Sequence, residues 1–333
     1  MDLDYLLLLQ QFRNDTRDLL TPFMENLSLF AVTFLIMIPV FVYWTIDKKK
    51  GLYTLAAYYL CCGFNAMVKL TACVYRPWIR DSRVIPAGDA IRTATGYSFP
   101  SGHTATAGPI YGGLAAAYWP RRKFFPIVCA ALLLLTGFSR NYLGVHTPQD
   151  VLVGLIESVL ALLVAAKVFS YLEKHPEKEN YLLSAMFIFG WLGITYITYK
   201  HYPTDCVDGH LLVDPQEMMN DGYGDMALPI AFPLARFIEK KWINFGPAGL
   251  KPGGLAVGVS GLVPLFFMIK FQRGMLDGLL GSHWGHFSHN FILVLYCIAL
   301  YPLVIRAATG FCRQADRSAA AKELNPNGME LPR

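Results

Sequence analysis

The sequence predicts an all-α, polytopic transmembrane helical bundle, and three observations support this fold class. Of the 333 residues, 54% are hydrophobic and only 16% are charged, whereas a soluble domain carries about 25% charged residues. Apolar stretches of near-spanning length, roughly 20 residues each, recur along the chain. Lys and Arg residues cluster in short polar stretches between them, as in the loops of a multi-pass membrane protein.

Residues 1–26 precede the first apolar stretch and combine leucines with charged side chains. The segment begins acidic, with Asp2 and Asp4, whereas a cleavable signal peptide begins basic and then becomes apolar. We therefore expect 1–26 to form an amphipathic helix at the membrane surface.

Eight apolar segments have near-spanning length, and a ninth is less clear. The eight are 27–46, 52–73, 103–119, 124–139, 150–170, 181–199, 253–271 and 289–308. The ninth segment, 226–238, is short and contains Pro229 and Pro233.

The basic clusters determine how segment 226–238 is interpreted. If it spans, every cluster lies on one side of the membrane, and the positive-inside rule identifies that side as the cytoplasm. The clusters are 48–50, 121–123, Lys174 with Lys178, 240–241, and Arg306 with the basic residues of the tail. The sequence therefore predicts nine spans, an external N-terminus, an outer loop at 200–225 and a cytoplasmic tail at 311–333.

Composition also limits the cofactors and partners. The net charge of +5 arises from these short clusters and does not form a nucleic-acid-binding surface. The seven cysteines contain no C-x-x-C pair, so neither a zinc site nor a disulfide framework is indicated. The sequence does not determine the oligomeric state.

The first candidate site element is a pair of cations near the end of the second span. Lys69 and Arg76 are seven residues apart, or two helical turns, so they would share one helix face. Pro77 would then help to terminate the helix. Two cations near a membrane interface are costly unless they bind an anion, although basic side chains also extend to lipid headgroups with no further role.

The second element is Pro100-Ser101-Gly102-His103, at the start of the third span. Free N–H groups and the helix dipole bind anions at a helix start, and Gly102 lets a phosphate approach the backbone closely. Ser101 is a candidate N-cap, and His103 is placed to pass a proton to a leaving oxygen. An ordinary helix start with an interfacial histidine would have the same sequence.

The third element lies within 139–150. Thr147 suits an N-cap and Asp150 the first helical turn, which places His146 just before the helix and within reach of Asp150. A carboxylate on one ring nitrogen fixes the tautomer and leaves the other nitrogen free to attack. The planar guanidinium of Arg140 suits bidentate phosphate binding. Taken singly, Asp150 is also typical of an acidic residue in the first turn of a helix, and Arg140 of an ordinary charged residue in a loop.

Together the three elements resemble, in order and spacing, the three-part signature of the type 2 phosphatidic-acid phosphatase superfamily. The resemblance covers residues 69–150 directly and about 50–170 as a six-helix core. It therefore implies a phosphatase core at 27–180, followed at 181–310 by about three additional C-terminal spans.

The resemblance also implies a role for each motif residue. His146 would attack phosphorus to form a phosphohistidine, Asp150 would orient His146, and His103 would protonate the leaving group. The remaining motif residues would bind the phosphate oxygens: Lys69, Arg76, Ser101, Gly102 and Arg140. The family needs no metal and no other cofactor.

The expected function is thus that of an integral membrane phosphatase acting on a lipid phosphate, such as phosphatidate or a sphingoid-base phosphate. Its partners would be that substrate and the surrounding membrane lipids, and its active site would face the non-cytoplasmic side. The additional spans also resemble those of sphingoid-base-phosphate phosphatases and glucose-6-phosphatases. The alternatives are a polyprenyl diphosphate phosphatase, a sugar phosphatase and, in a different class, a non-catalytic transporter of phosphate compounds.

Two polar regions lie outside the signature. Residues 200–225 contain eight acidic or histidine side chains, and we expect a solvated outer loop rather than a substrate lid or a metal site. His283, His286 and His289 precede the last span at three-residue spacing, which favours interfacial histidines over metal ligands.

Overall fold

The computed structural model describes residues 2–120 and 123–310, and almost all regular structure in them is helical. The α-helices are α1 Asp2–Asp15, α2 Thr21–Thr33, α3 Met37–Phe41, α4 Lys48–Ala72, α5 Pro77–Arg80, α6 Gly102–Tyr118, α7 Phe124–Tyr142, α8 Pro148–Lys174, α9 Glu179–Tyr199, α10 Pro215–Ile238, α11 Pro252–Phe267, α12 Arg273–Leu280 and α13 Ser282–Leu295. Short π-helical turns extend α3, α10, α11 and α13. A small hairpin pairs β1 Cys206–Val207 with β2 His210–Leu211. The all-α fold class is confirmed.

Within the described residues, six helices are long and apolar enough to cross a membrane, or seven if the bent pair Thr21–Thr33 and Met37–Ile46 forms one span. The chain is therefore a multi-pass membrane protein. Helix α6 has only 17 residues, and α10, although polar in its first half, has 24 and is roughly 36 Å long. That length exceeds the hydrocarbon thickness, so the nine-span arrangement stays a consistent prediction. The tail 311–333 and residues 121–122 lie outside the described residues.

Helix α4 is the central element that joins the two halves of the bundle. It packs against α6 and α8 on one side and against α9 and α10 on the other. Small residues permit these close approaches: Gly113 of α6 faces Thr54 of α4, and Gly63 of α4 faces Pro229 of α10. Close packing at small residues is typical of membrane helices.

The N-terminal segment contains the predicted helix, α1, followed by the start of α2 at Thr21, earlier than the predicted first span. Arg13 of α1 is buried and donates to the carbonyl of Ile85 at 2.6 Å. Helix α1 is therefore attached to the segment between α5 and α6. Its position at the membrane surface stays a prediction.

One end of the bundle is crossed by ion pairs between helix termini. Lys48 contacts Glu239, and Lys240 contacts Glu179, each at 2.5 Å. Lys49 also pairs with Glu173. The starts of α4 and α9 and the ends of α8 and α10 thus meet here, and this is the end opposite to the motif residues.

Candidate active site

The predicted motif elements converge at the other end of the bundle. Lys69, Arg76, Gly102, His103 and His146 all line one cavity of about 340 Å³. They come from the end of α4, the segment between α4 and α5, the start of α6 and the turn before α8. The structure therefore brings together residues that are up to 77 positions apart in sequence.

The prediction that Lys69 and Arg76 share one helix face is wrong. Helix α4 ends at Ala72, and Cys73 adopts a left-handed conformation with φ 47°. Arg76 lies beyond this break in extended conformation, and Pro77 begins the short helix α5 instead of ending α4. The break turns the chain back toward the cavity, so both cations still reach it.

Arg76 is buried and fixed by several acceptors. Its guanidinium donates to the carbonyls of Thr95, Gly96 and Val145 at 2.8, 3.0 and 3.0 Å. Its Nη1 atom also lies 2.9 Å from Nε2 of His146. Because arginine has only donors, Nε2 of His146 accepts this bond and carries no proton.

The opposite nitrogen of His146 faces Asp150. Nδ1 lies 3.2 Å from Oδ2 of Asp150, so the remaining ring proton sits between them. Thr147 and Asp150 form a reciprocal capping box at the start of α8, which confirms the predicted N-cap. Burial, and then the charge of Arg76, lower the pKa of His146, so the ring is neutral near pH 7.

Ser98 also contacts Asp150, and the sequence did not predict this contact. Oδ2 of Asp150 accepts from the Ser98 hydroxyl at 2.5 Å and from the Thr147 amide at 2.9 Å. Ser98 is fully buried. It lies just before the second motif element, but its sequence neighbours gave no sign of this contact.

His103 enters the cavity from the first turn of α6. The Ser101 side chain accepts from the backbone amide of Thr104 at 3.4 Å, which confirms the predicted cap. Nε2 of His103 is buried and has no hydrogen-bond partner among the described residues. A Cβ added at Gly102 would lie 3.5 Å from Nζ of Lys69, so the ammonium group sits next to this helix start.

Arg140 and Ser101 are buried but do not line the cavity. Arg140 donates through Nη1 to Ser28. Its Nε and Nη2 atoms are buried and lack partners among the described residues. Arg140 thus has two donor nitrogens that bind no described residue, whereas Ser101 caps the start of α6.

Comparison with known proteins shows that the region with the motif residues is similar to a known family. Residues 49–174 match the PAP2 superfamily model. This region thus resembles a PAP2 core. The predicted family resemblance is confirmed over that region, which holds every predicted site residue.

Curated relatives match the chain over shorter stretches. A lipid A 1-phosphatase from Rhizobium johnstonii is 38% identical over 73 residues, covering 22% of this chain and 28% of the relative. Phosphatidylglycerophosphatase B from Bacillus subtilis is 35% identical over 88 residues, covering 24% of this chain and 42% of the relative. The chain thus spans less than half the length of these relatives. No solved structure matches significantly.

Helices outside the PAP2 core form the opposite wall of the cavity, and this overturns one prediction. Residues 215–225 are not loop but the first turns of α10, and Asp221 and Asp225 line the cavity. His286 and His289 of α13 also line it and are buried, while their place at the membrane interface stays a prediction. Both helices pack together along their length, a long-range contact that the local spacing did not indicate.

No group of three or more His, Cys, Asp or Glu side chains in 2–120 and 123–310 is arranged to hold a metal ion. The acidic residues of 200–225 therefore do not form a metal cluster with described neighbours. Asp205, for example, accepts from the Tyr75 hydroxyl at 2.7 Å.

Proposed function

We propose that this chain is an integral membrane phosphatase that hydrolyses a lipid phosphate through a phosphohistidine on His146. One observation carries the proposal: both motif histidines line the cavity, and of these two only His146 is paired with a buried carboxylate. His146 contacts Asp150 at 3.2 Å, whereas Nε2 of His103 has no described partner. This asymmetry suits a nucleophile and a separate proton donor. The PAP2 core, and relatives named as phosphatases of lipids, support the same reaction class.

In the first step, Nε2 of His146 attacks phosphorus, and the bond between phosphorus and the ester oxygen breaks. Asp150 holds the Nδ1 proton and stabilises the positive charge that develops on the ring. His103, protonated beside the bound phosphate anion, gives its proton to the leaving alcohol oxygen. In the second step, His103 takes a proton from water as the water oxygen attacks the phosphohistidine, which releases inorganic phosphate and restores both histidines.

Protein cations would balance the charge of the transferred phosphoryl group. Lys69 and Arg76 line the cavity, and Arg140 retains two buried donors without described partners. The start of α6 at Gly102 adds backbone N–H groups and the positive end of the helix dipole. Such preorganised donors stabilise a transition state with dispersed negative charge, so the proposed reaction uses no metal ion.

We further propose that the cavity opens to the non-cytoplasmic side. The basic residues of the loops, including Lys48, Lys49 and Lys240, meet at the opposite end of the bundle. Under the positive-inside rule, that end is cytoplasmic.

A panel of phosphate compounds tests this proposal with purified protein. Released phosphate would be measured for phosphatidate, a sphingoid-base phosphate, a long-chain alkyl diphosphate and glucose 6-phosphate, with His146→Ala as the inactive control. We expect turnover of one or both lipid monophosphates and none by the variant. A preference for the diphosphate or the sugar would favour those alternatives. Specific binding without turnover of any compound would indicate a transporter.

A further inference from the structure

A buried acidic side chain in α8 takes no part in the proposed chemistry. Glu157 is 3% exposed and lies within this long apolar helix. Its Oε2 atom accepts from the side-chain amide of Asn65 at 2.6 Å, whereas Oε1 is buried and has no partner among the described residues. An acidic group inside a membrane-spanning helix is costly and by default marks a functional position, so we expect Glu157 to do more than fill space.

Helix geometry directs Glu157 toward the active site. It follows Asp150 by seven residues in the continuous helix α8, so the two carboxylates share one helix face. Asn65 precedes Lys69 by one turn of α4, and these two side chains likewise share a face. The contact between Glu157 and Asn65 therefore joins the face of α8 that carries Asp150 to the face of α4 that carries Lys69.

This contact also fixes how the Asn65 amide is oriented. Its NH₂ group is used on Glu157, which turns its oxygen, Oδ1, to the other side. There, a Cβ added at Gly102 would lie 3.9 Å from Oδ1 of Asn65 and 3.5 Å from Nζ of Lys69. An acceptor oxygen and an ammonium group thus flank the same point beside the start of α6, where the phosphate is proposed to bind.

Lys69 needs a restraint here because carboxylates on the opposite wall compete for it. It forms no hydrogen bond or ion pair with any described residue, but Asp221 and Asp225 of α10 line the same cavity and act on its charge. A lysine side chain is flexible, so these carboxylates would draw the ammonium group away from α6 and from a phosphate bound there. An acceptor on the α4 side would oppose this attraction.

We infer that Glu157 and Asn65 are positioning residues for Lys69. The carboxylate of Glu157 orients the Asn65 amide, and the amide oxygen holds the ammonium group of Lys69 beside the start of α6. Neither residue would touch the substrate, and neither belongs to the three sequence elements that predicted the site. This inference rests on the proposed phosphatase function.

The test measures binding of inorganic phosphate by calorimetry to the His146→Ala protein, in which no phosphohistidine can form on that residue. Adding Glu157→Leu should raise Kd at least about 10-fold, the scale of one hydrogen bond to a charged group. Adding Glu157→Gln should leave Kd within about threefold, because glutamine keeps an oxygen that accepts from Asn65. Ser158→Ala is the matched control: this neighbouring buried hydroxyl donates to Gly154 of its own helix at 2.7 Å, so Kd should not change.

A double-variant cycle with Lys69 separates positioning from a purely structural role. When Lys69→Met is already present, Glu157→Leu should no longer change Kd, because no ammonium group is left to hold. Asn65→Leu should raise Kd as much as Glu157→Leu does, and it tests the same contact if the Glu157→Leu protein does not fold.

Three results would overturn the inference. The first is an unchanged Kd in the folded leucine variants. The second is an undiminished effect of Glu157→Leu in the Lys69→Met background. The third is a Glu157→Gln protein that binds phosphate as weakly as Glu157→Leu, or more than about threefold more tightly than its parent.

Turnover distinguishes failure of this inference from failure of the proposed function. With His146 intact, kcat/KM for nitrophenyl phosphate should fall at least about 10-fold in Glu157→Leu and stay within about threefold of wild type in Glu157→Gln. The expected binding pattern without wild-type turnover of any phosphate compound would overturn only the phosphatase function. Wild-type turnover combined with phosphate binding that does not depend on Glu157 would overturn only the positioning role.

Discussion

Ser98 offers the sharpest test of how the nucleophile is held. Its hydroxyl donates to Oδ2 of Asp150 at 2.5 Å and lies 3.5 Å from Nδ1 of His146. Ser98→Ala removes this donor from a fully buried site and introduces no larger group. The Asp150 carboxylate then keeps two donors, His146 and the amide of Thr147.

The size of the effect follows from the kind of bond that is lost. A hydrogen bond to a charged group contributes about 1.5–3 kcal/mol, which corresponds to roughly 10- to 150-fold in rate if the whole loss appears in the transition state. Ser98 also binds Asp150 before the reaction, so only part of the loss affects the barrier. We expect kcat/KM to fall about 10-fold.

The assay is turnover of nitrophenyl phosphate by purified single and double variants. Because Ser98 acts through Asp150, Ser98→Ala should cost much less when Asp150→Asn is already present. Ser158→Ala is the matched control, since that buried hydroxyl donates to Gly154 of its own helix at 2.7 Å and should change turnover little. Additive losses in the Ser98→Ala and Asp150→Asn double variant would refute positioning through the carboxylate.

Five further outcomes are expected. His146→Ala should abolish turnover of every substrate. His103→Ala should lower turnover of an alkyl phosphate ~10²–10⁴-fold and recover much of that turnover on nitrophenyl phosphate. Acid-labile phosphate should be trapped on His146 in this variant. Phosphate on another residue would show that the roles are wrongly assigned. Activity should survive EDTA, and loss on chelation that magnesium restores would contradict a metal-free reaction. The pKa of His146 is lowered by burial and by the nearby guanidinium, so its neutral, attacking form persists as the pH falls. An ordinary histidine titrates near 6.5, and kcat/KM for nitrophenyl phosphate should show no decrease on the acid side at that pH. A decrease there that is the same for every substrate would contradict this. With native cysteines removed, Lys49→Cys and Asn244→Cys should resist an impermeant thiol reagent in cells while His210→Cys reacts; labelling at 244 but not at 210 would refute the nine-span prediction.

The sequence predicted the parts of the site that depend on local spacing. The His146–Asp150 contact and the Thr147 cap lie within one turn of α8, so helix geometry alone brings them together. The Ser101 cap has the same origin. Span positions were also predictable in outline, because bilayer thickness sets the length of an apolar helix.

The remaining features depend on contacts that local patterns do not encode. The end of α4 relies on a left-handed Cys73, a conformation uncommon outside glycine, so nothing in the sequence marked the break before Arg76. The polar first half of α10 has the sequence character of a loop, because a charged segment favours solvent. Asp225 and His289 become neighbours of the active site only through packing of α10 on α13.

The contact between Arg76 and His146 engages the lone pair that attack requires. Nε2 of His146 accepts at 2.9 Å from a guanidinium that three carbonyls also hold. A phosphate oxygen is a stronger acceptor for a guanidinium than a neutral ring nitrogen, so we expect phosphate to replace Nε2 in this contact before attack. An uncharged electrophile offers no such exchange. Covalent inhibitors of this site are therefore expected to need an anionic group beside their reactive atom.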